Sequence, residues 1–307
     1  MNKNCVFETD MADERVDMYK KINNLTEVDG IKVETNKNNG FITTNVEVLN
    51  ESGSKAISKE IGKYVTMQIE NINYMEEEEK KNIVNELARV ITELIGKDTQ
   101  KSVMVLGLGN INVTPDALGP KVVNDVDITR HLINFAKELV EQDTRPVCAI
   151  APGVLGTTGI ETSEIVDSIV KKINVDMIIA IDSLASQSVN RLGNTIQISN
   201  TGITPGSGIN NKREGINKKA LGIPVIAIGV PTVVDMATIT NETIDKMIGN
   251  VNVEGNFSDA SKEERYNVIA KLLNTENYMV TPKDIDNVID KVSKLIVKAI
   301  NLSLQEN

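Results

Sequence analysis

DMIIAIDSLAS, residues 176–186, is the stretch whose reading decides the fold. Met177 to Ile181 are all apolar, with no alternation. Such a run reads as a strand buried on both faces, the habit of strands in parallel sheets. Working outward, similar apolar runs occur at Val103–Leu108, Val147–Ala151 and Val225–Val230, and a further strand is expected at Thr195–Ser199. Helical patterns are expected between them, at 119–141, Ile160–Ile173 and 183–191. Strand alternating with helix predicts an α/β fold: a three-layer α/β/α arrangement around a mostly parallel sheet. In such sheets the carboxyl ends of the strands open onto one rim, where ligands bind.

Two aspartates are aimed at that rim. Asp182 closes the apolar run of 177–181, and Asp116 lies in NVTPDALGP (112–120), just past the run at 103–108. Two carboxyls a few ångströms apart do not readily both ionise, so the pair shares a proton. The ionised member can take a proton from water, and the protonated one can donate to a departing amide nitrogen. Each aspartate also has a plainer reading as the cap of a following helix.

Residue types that are scarce narrow the alternatives. The single histidine, His131, falls in a predicted helix, so a Ser-His or Cys-His triad would have to use it. A His-rich zinc site is excluded, while a carboxylate site from Asp116, Asp182 and Glu161 stays open. Gly107-Leu108-Gly109-Asn110 is half of a dinucleotide fingerprint without its third glycine, and reads better as a tight turn. The two cysteines are Cys5, in a polar tail, and Cys148, inside an apolar strand, where an inert thiol and a reducing compartment are the natural reading. Net charge is −10, which argues against binding a phosphate backbone. No signal peptide and no run of membrane-spanning length is expected.

Residues 1–15 read as a tail. A small β-rich part is expected at about 30–72, an α/β core at about 76–239, and a helix-prone insertion at about 240–278. A C-terminal helix is expected at 282–302, opened by Thr281 and Pro282. EEEEKKNIVNELARVITELIGK reads as a helix, with Ile83, Leu87, Val90, Ile91, Leu94 and Ile95 on one face. Two Gly-rich loops, 151–164 and 201–214, follow strands. They offer Gly153, Gly156, Glu161, Gly206 and Gly208, with Lys212 and Arg213 placed to neutralise an acidic substrate side chain.

Together, Asn110, NVTPDALGPKVV, TRHL, RPVCAIAPGVLGTTGIETSEI, IIAIDSLAS, NTIQISNTGITPGSGINNKRE, LGIPVIAIGVPTVVD and MVTPKDID resemble the germination proteases of spore-forming bacteria. The resemblance covers nearly the whole chain. It implies an atypical aspartic endopeptidase with a hydrogenase maturation protease-like fold, whose two essential aspartates match Asp116 and Asp182. It implies no cofactor. The implied substrates are small acid-soluble spore proteins, and the implied setting is a homotetramer in the cytoplasm of the forespore or spore core, without nucleic-acid or membrane partners. It further implies a zymogen that removes its own propeptide. ETDMADE (8–14) resembles the processing sequence, which places self-cleavage between Asp10 and Met11, with residues 1–10 as propeptide and 11–307 as peptidase domain. The alternative is a metal-dependent, maturation-type peptidase using the same carboxylates. A non-catalytic scaffold that sequesters DNA-coating proteins is the reading from outside enzymology.

Overall fold

The computed structural model describes residues 9–305, apart from 71, 97, 142, 205–213, 251–264, 266–267 and 270–277. Its nine described strands form one sheet. They are β1 (Ile31–Asn38), β2 (Phe41–Val48), β3 (Gly62–Ile69), β4 (Val103–Gly107), β5 (Val147–Ile150), β6 (Met177–Ser186), β7 (Thr195–Ser199), β8 (Val225–Asp235) and β9 (Met279–Val280). The order across the sheet is β1-β2-β3-β7-β8-β6-β4-β5, with β9 added to β8.

The sheet is mixed rather than mostly parallel. β8, β6, β4 and β5 pair in parallel. β1, β2, β3, β7 and β8 pair antiparallel in series. The cause is the short connection after β6. A parallel return needs a crossover of about a dozen residues or more. Residues 187–194 supply only a tight 3-10 turn, Val189–Arg191, so the chain comes back reversed. The N-terminal β-rich segment then continues the same sheet through β3 and β7. Its outer strand β1 is exposed almost throughout and carries Lys32, Glu34 and Lys37, which discourage further pairing.

Helix α3 (Glu77–Ile95) forms as its periodicity predicts. Glu76 N–H donates to Glu79 Oε2 at 3.0 Å and closes its first turn, and Gly96 ends it with φ +79°. Its stripe of Ile83, Leu87, Val90, Ile91 and Ile95 is buried against one sheet face. The C-terminal helix (Ile285–Gln305) lies beside it, burying Val288, Ile289, Val292, Leu295, Ile296 and Ile300. It starts three residues later than the Pro282 signal suggests. Thr281 Oγ1 donates to the Thr232 carbonyl at 2.8 Å instead of capping. The other sheet face is covered by α7 (Thr162–Ile173), which packs Val166 and Val170 on Met104, Leu106, Ile178 and Ala180.

Two expected helices are replaced. The one over 119–141 is broken into α4 (Leu118–Asp125), α5 (Arg130–Phe135) and a 3-10 turn. Tertiary bonds compete for the backbone between them: Asp127 N–H goes to Asn301 Oδ1 and Thr129 N–H to the Val147 carbonyl. His131 lies on α5, exposed. The helix expected over 183–191 is instead the continuation of β6 to Ser186, paired with β8. The partners that hold it extended are distant in sequence.

Residues 9–15 are not a free tail. Thr9 to Glu14 are buried, and Ala12 opens helix α1 (Ala12–Asn23). Cys5 lies outside the described residues. Cys148 is a free, half-buried thiol whose pKa burial pushes up, consistent with inertness.

Candidate active site

The loop after β4 is built to fix Asp116. Gly109 has φ +107°, and a Cβ there would lie 2.1 Å from the Asp116 carbonyl oxygen and 3.0 Å from its Oδ1. Only glycine permits this approach. Asn110 N–H donates to the Asp116 carbonyl at 3.0 Å and to its Oδ2 at 2.8 Å. Asn110 Oδ1 accepts from Asn112 N–H at 3.0 Å, which shapes the turn between them. Asp116 thus ends a single 3-10 turn, Thr114–Asp116, that packs against β6 and β8.

The same loop is tied to the strand that carries Asp182. Leu108 N–H donates to the Ile181 carbonyl at 2.8 Å. A Cβ on Gly119 would meet Leu108 O at 2.3 Å and Ile181 O at 2.7 Å, so the start of α4 is wedged where β4 and β6 meet. Asp182 is buried, and its Oδ1 accepts from Ser183 N–H at 2.9 Å. Both aspartates therefore belong to the carboxyl rim of β4 and β6. Asp182 pairs in register with Gly229, and Gly229 with Gln197. One row thus crosses three strands, and the Leu184 side chain lies over the glycine in its middle.

A cleft of about 480 Å³ opens beside this row, and its walls include Leu184, Gly229, Gln197, Tyr64, Lys59 and Asp10. The N-terminal segment lies in it. Asp10 N–H donates to the Ala185 carbonyl and Ala185 N–H to Asp10 Oδ2, both at 2.9 Å. These bonds form at a β-bulge, Leu184/Ala185, opposite Pro231. Lys59 Nζ and Gln197 Nε2 donate to the Asp10 carbonyl at 2.7 and 3.2 Å. Ala12 N–H donates to Gln197 Oε1 at 2.7 Å. Met11 is fully buried.

Downstream, two carboxylates are clamped. Arg191 bonds Asp13 at 2.6 Å and approaches Glu14 at 3.4 Å. Glu14 also accepts from Thr9 Oγ1, Ser186 Oγ and Gln187 N–H. Burial still dominates and pushes the Glu14 carboxyl above the usual carboxylate range, against those bonds and the Arg191 charge.

The other sequence candidates divide. Gly153 (φ +83°), Gly156 in the short turn α6 (Leu155–Thr158) and Glu161, at the N-cap position of α7, follow edge strand β5. They share the rim, with β4 standing between β5 and β6. Gly206, Gly208, Lys212 and Arg213 lie outside the described residues. The flanks of their loop, Thr204 and Asn217, line the cleft. Sequence reasoning missed Lys59, Gln197, Ser186 and Arg191. A lysine after a short helix and a glutamine in a strand carry no local signal. Among the described residues no group of three His, Cys, Asp or Glu is placed to hold a metal ion.

The germination protease family profile matches residues 6–263. The chain belongs to this family. It is 45% identical to the germination protease of Clostridium tetani, covering 97% of this chain and 95% of that one. It is 46% identical to that of Clostridium perfringens, with the same coverage. A Bacillus cereus germination protease is 39% identical over 90% of this chain and 87% of its own. Among solved structures, a NiFe hydrogenase maturation protease from Thermococcus kodakarensis aligns with 61% of this chain and 97% of its own, at 18% identity and a TM-score of 0.29. Family membership makes the chain a peptidase. Among the described residues no helix is long and apolar enough to cross a membrane.

Proposed function

We propose that this peptidase is a self-processing zymogen that cleaves small acid-soluble spore proteins at germination, with Asp116 and Asp182 as a general acid–base pair. The ionised carboxyl takes a proton from water as its oxygen attacks the peptide carbonyl carbon. The protonated one delivers its proton to the amide nitrogen as the C–N bond breaks. The observation that carries this reading is the docking of Asp10–Met11 in the cleft beside β6, three residues along the strand from Asp182. A chain that cleaves itself there has its own bond already bound, which removes the entropic cost of association. The loops around Gly153, Gly156, Glu161, Gly206 and Gly208, with Lys212, Arg213 and Asn110, are proposed to line the substrate path. Assembly as a homotetramer and residence in the spore core belong to the same proposal.

The test is intact-mass spectrometry of wild type, Asp116→Asn and Asp182→Asn during incubation at mildly acidic pH. Loss of the first ten residues in wild type alone is expected. Processing by either variant would sink the two-carboxylate mechanism. Cleavage of a small acid-soluble spore protein by the processed enzyme then tests the substrate.

A further inference from the structure

We propose that Lys59 and Gln197 form an oxyanion clamp for the Asp10–Met11 bond, a second catalytic element beside the two aspartates. The inference rests on the self-processing reading above. Peptide hydrolysis moves a charge onto the carbonyl oxygen, and donors already aimed at that oxygen are worth most in a site shielded from water. The Asp10 carbonyl receives two side-chain donors, Lys59 Nζ at 2.7 Å and Gln197 Nε2 at 3.2 Å. One of them is cationic.

The clamp is placed by the turn that follows a short helix and by strand β7. Ser58, with φ +53°, turns the chain back after α2 (Glu51–Ile57), and Lys59 N–H closes the turn on the Ser54 carbonyl. That directs a residue of an exposed connection into the cleft. Gln197 uses both ends of its amide: Nε2 holds the carbonyl before the bond, and Oε1 holds Ala12 N–H just after it. The bond is thereby fixed from both sides. Asp10's own carboxylate is held on Ala185 N–H at 2.9 Å. Gln197 stands in the same row as Asp182, two strands away across side-chain-free Gly229. At ordinary strand spacing their Cα atoms are about 10 Å apart, and the Leu184 side chain lies over the glycine between them.

In the reaction, water oxygen bonds to the Asp10 carbonyl carbon, and the C=O π pair moves onto oxygen under the Lys59 ammonium and the Gln197 amide. The water proton passes to the ionised aspartate. Collapse re-forms C=O and expels the Met11 nitrogen, which takes the proton of the second carboxyl. Lys59 and Gln197 exchange no proton. Burial lowers the Lys59 amine to about 8, with the Asp10 carboxylate opposing and Arg15 reinforcing the shift, so the amine still carries its charge at neutral pH.

The experiment follows self-processing by intact mass in wild type, Lys59→Met, Lys59→Arg and Gln197→Glu, with hydrogen exchange at Asp10–Glu14 reporting docking. Removal of one such donor costs about 100- to 1000-fold in rate. Lys59→Met is expected to lose at least about 100-fold with exchange unchanged, and Lys59→Arg to recover part of the loss. Gln197→Glu, which puts a negative charge beside the oxyanion, is expected to slow processing as well. Processing by Lys59→Met within about threefold of wild type would overturn the clamp alone. So would a loss accompanied by fast exchange at Asp10–Glu14, which would assign Lys59 to docking. A wild type that never processes would overturn the self-processing reading, and the clamp with it.

Discussion

Gly109→Ala, compared with Gly96→Ala, separates the cost of backbone strain from the cost of moving the proposed catalytic carboxyl of Asp116. Both glycines hold positive φ, +107° and +79°. An alanine in either place pays about 1–3 kcal/mol for that conformation. Their surroundings differ. A Cβ at 96 meets nothing within 4 Å, whereas one at 109 lies 2.1 Å from the Asp116 carbonyl. An ordinary contact begins near 3.4 Å, so Asp116 must retreat by roughly 1.3 Å. It cannot do so alone, because Asn110 N–H binds both its carbonyl and its carboxylate. Misplacement of a reacting group by about 1 Å costs about 100-fold in rate. Both variants should therefore unfold at lower urea than wild type, and only Gly109→Ala should lose about 100-fold in self-processing and substrate cleavage. Wild-type activity in Gly109→Ala, or an equal loss in Gly96→Ala, would refute the argument that the β4 loop positions Asp116.

Two further outcomes follow from the docked segment. Glu14 has a raised carboxyl pKa in the folded chain, so its contribution is fully present below the ordinary carboxylate pKa and is lost as pH rises through the folded value. The thermal midpoint of wild type should therefore fall relative to Glu14→Gln as pH rises from 4 to 8. A rise would contradict the assignment. Arg191→Met leaves Asp13 and Glu14 buried without their cation. Breaking a buried pair costs about 3–5 kcal/mol when the remaining charge stays buried, and undocking of the segment relieves part of that cost. Limited proteolysis should then cut between residues 9 and 23 faster than in wild type, and equal protection would show that the guanidinium is dispensable.

Much of the fold was legible because its signals are local. The unbroken apolar runs at 103–107, 177–181 and 225–230 became buried strands, and the stripe from Ile83 to Ile95 became the buried face of α3. Errors fell where distant partners override propensity. Ser183–Ser186 stayed extended because β8 pairs with it. The helix after α4 broke because Asn301 and Val147 take its backbone donors.

The sequence by itself carried the apolar runs of β4 and β6 and the two aspartates that follow them, because unbroken apolar runs are a local mark of buried parallel strands. It also carried, as a pattern of residue types, the resemblance on which the proposed processing site at Asp10–Met11 rests. Only the tertiary structure decided that this segment lies in the cleft, and that Lys59, Gln197 and Arg191 hold it. Those contacts join residues 49 to 187 positions apart. Hydrogen bonds at such separations leave no period or spacing in the chain, because they depend on which strands become neighbours, and that is settled only when the whole sheet closes.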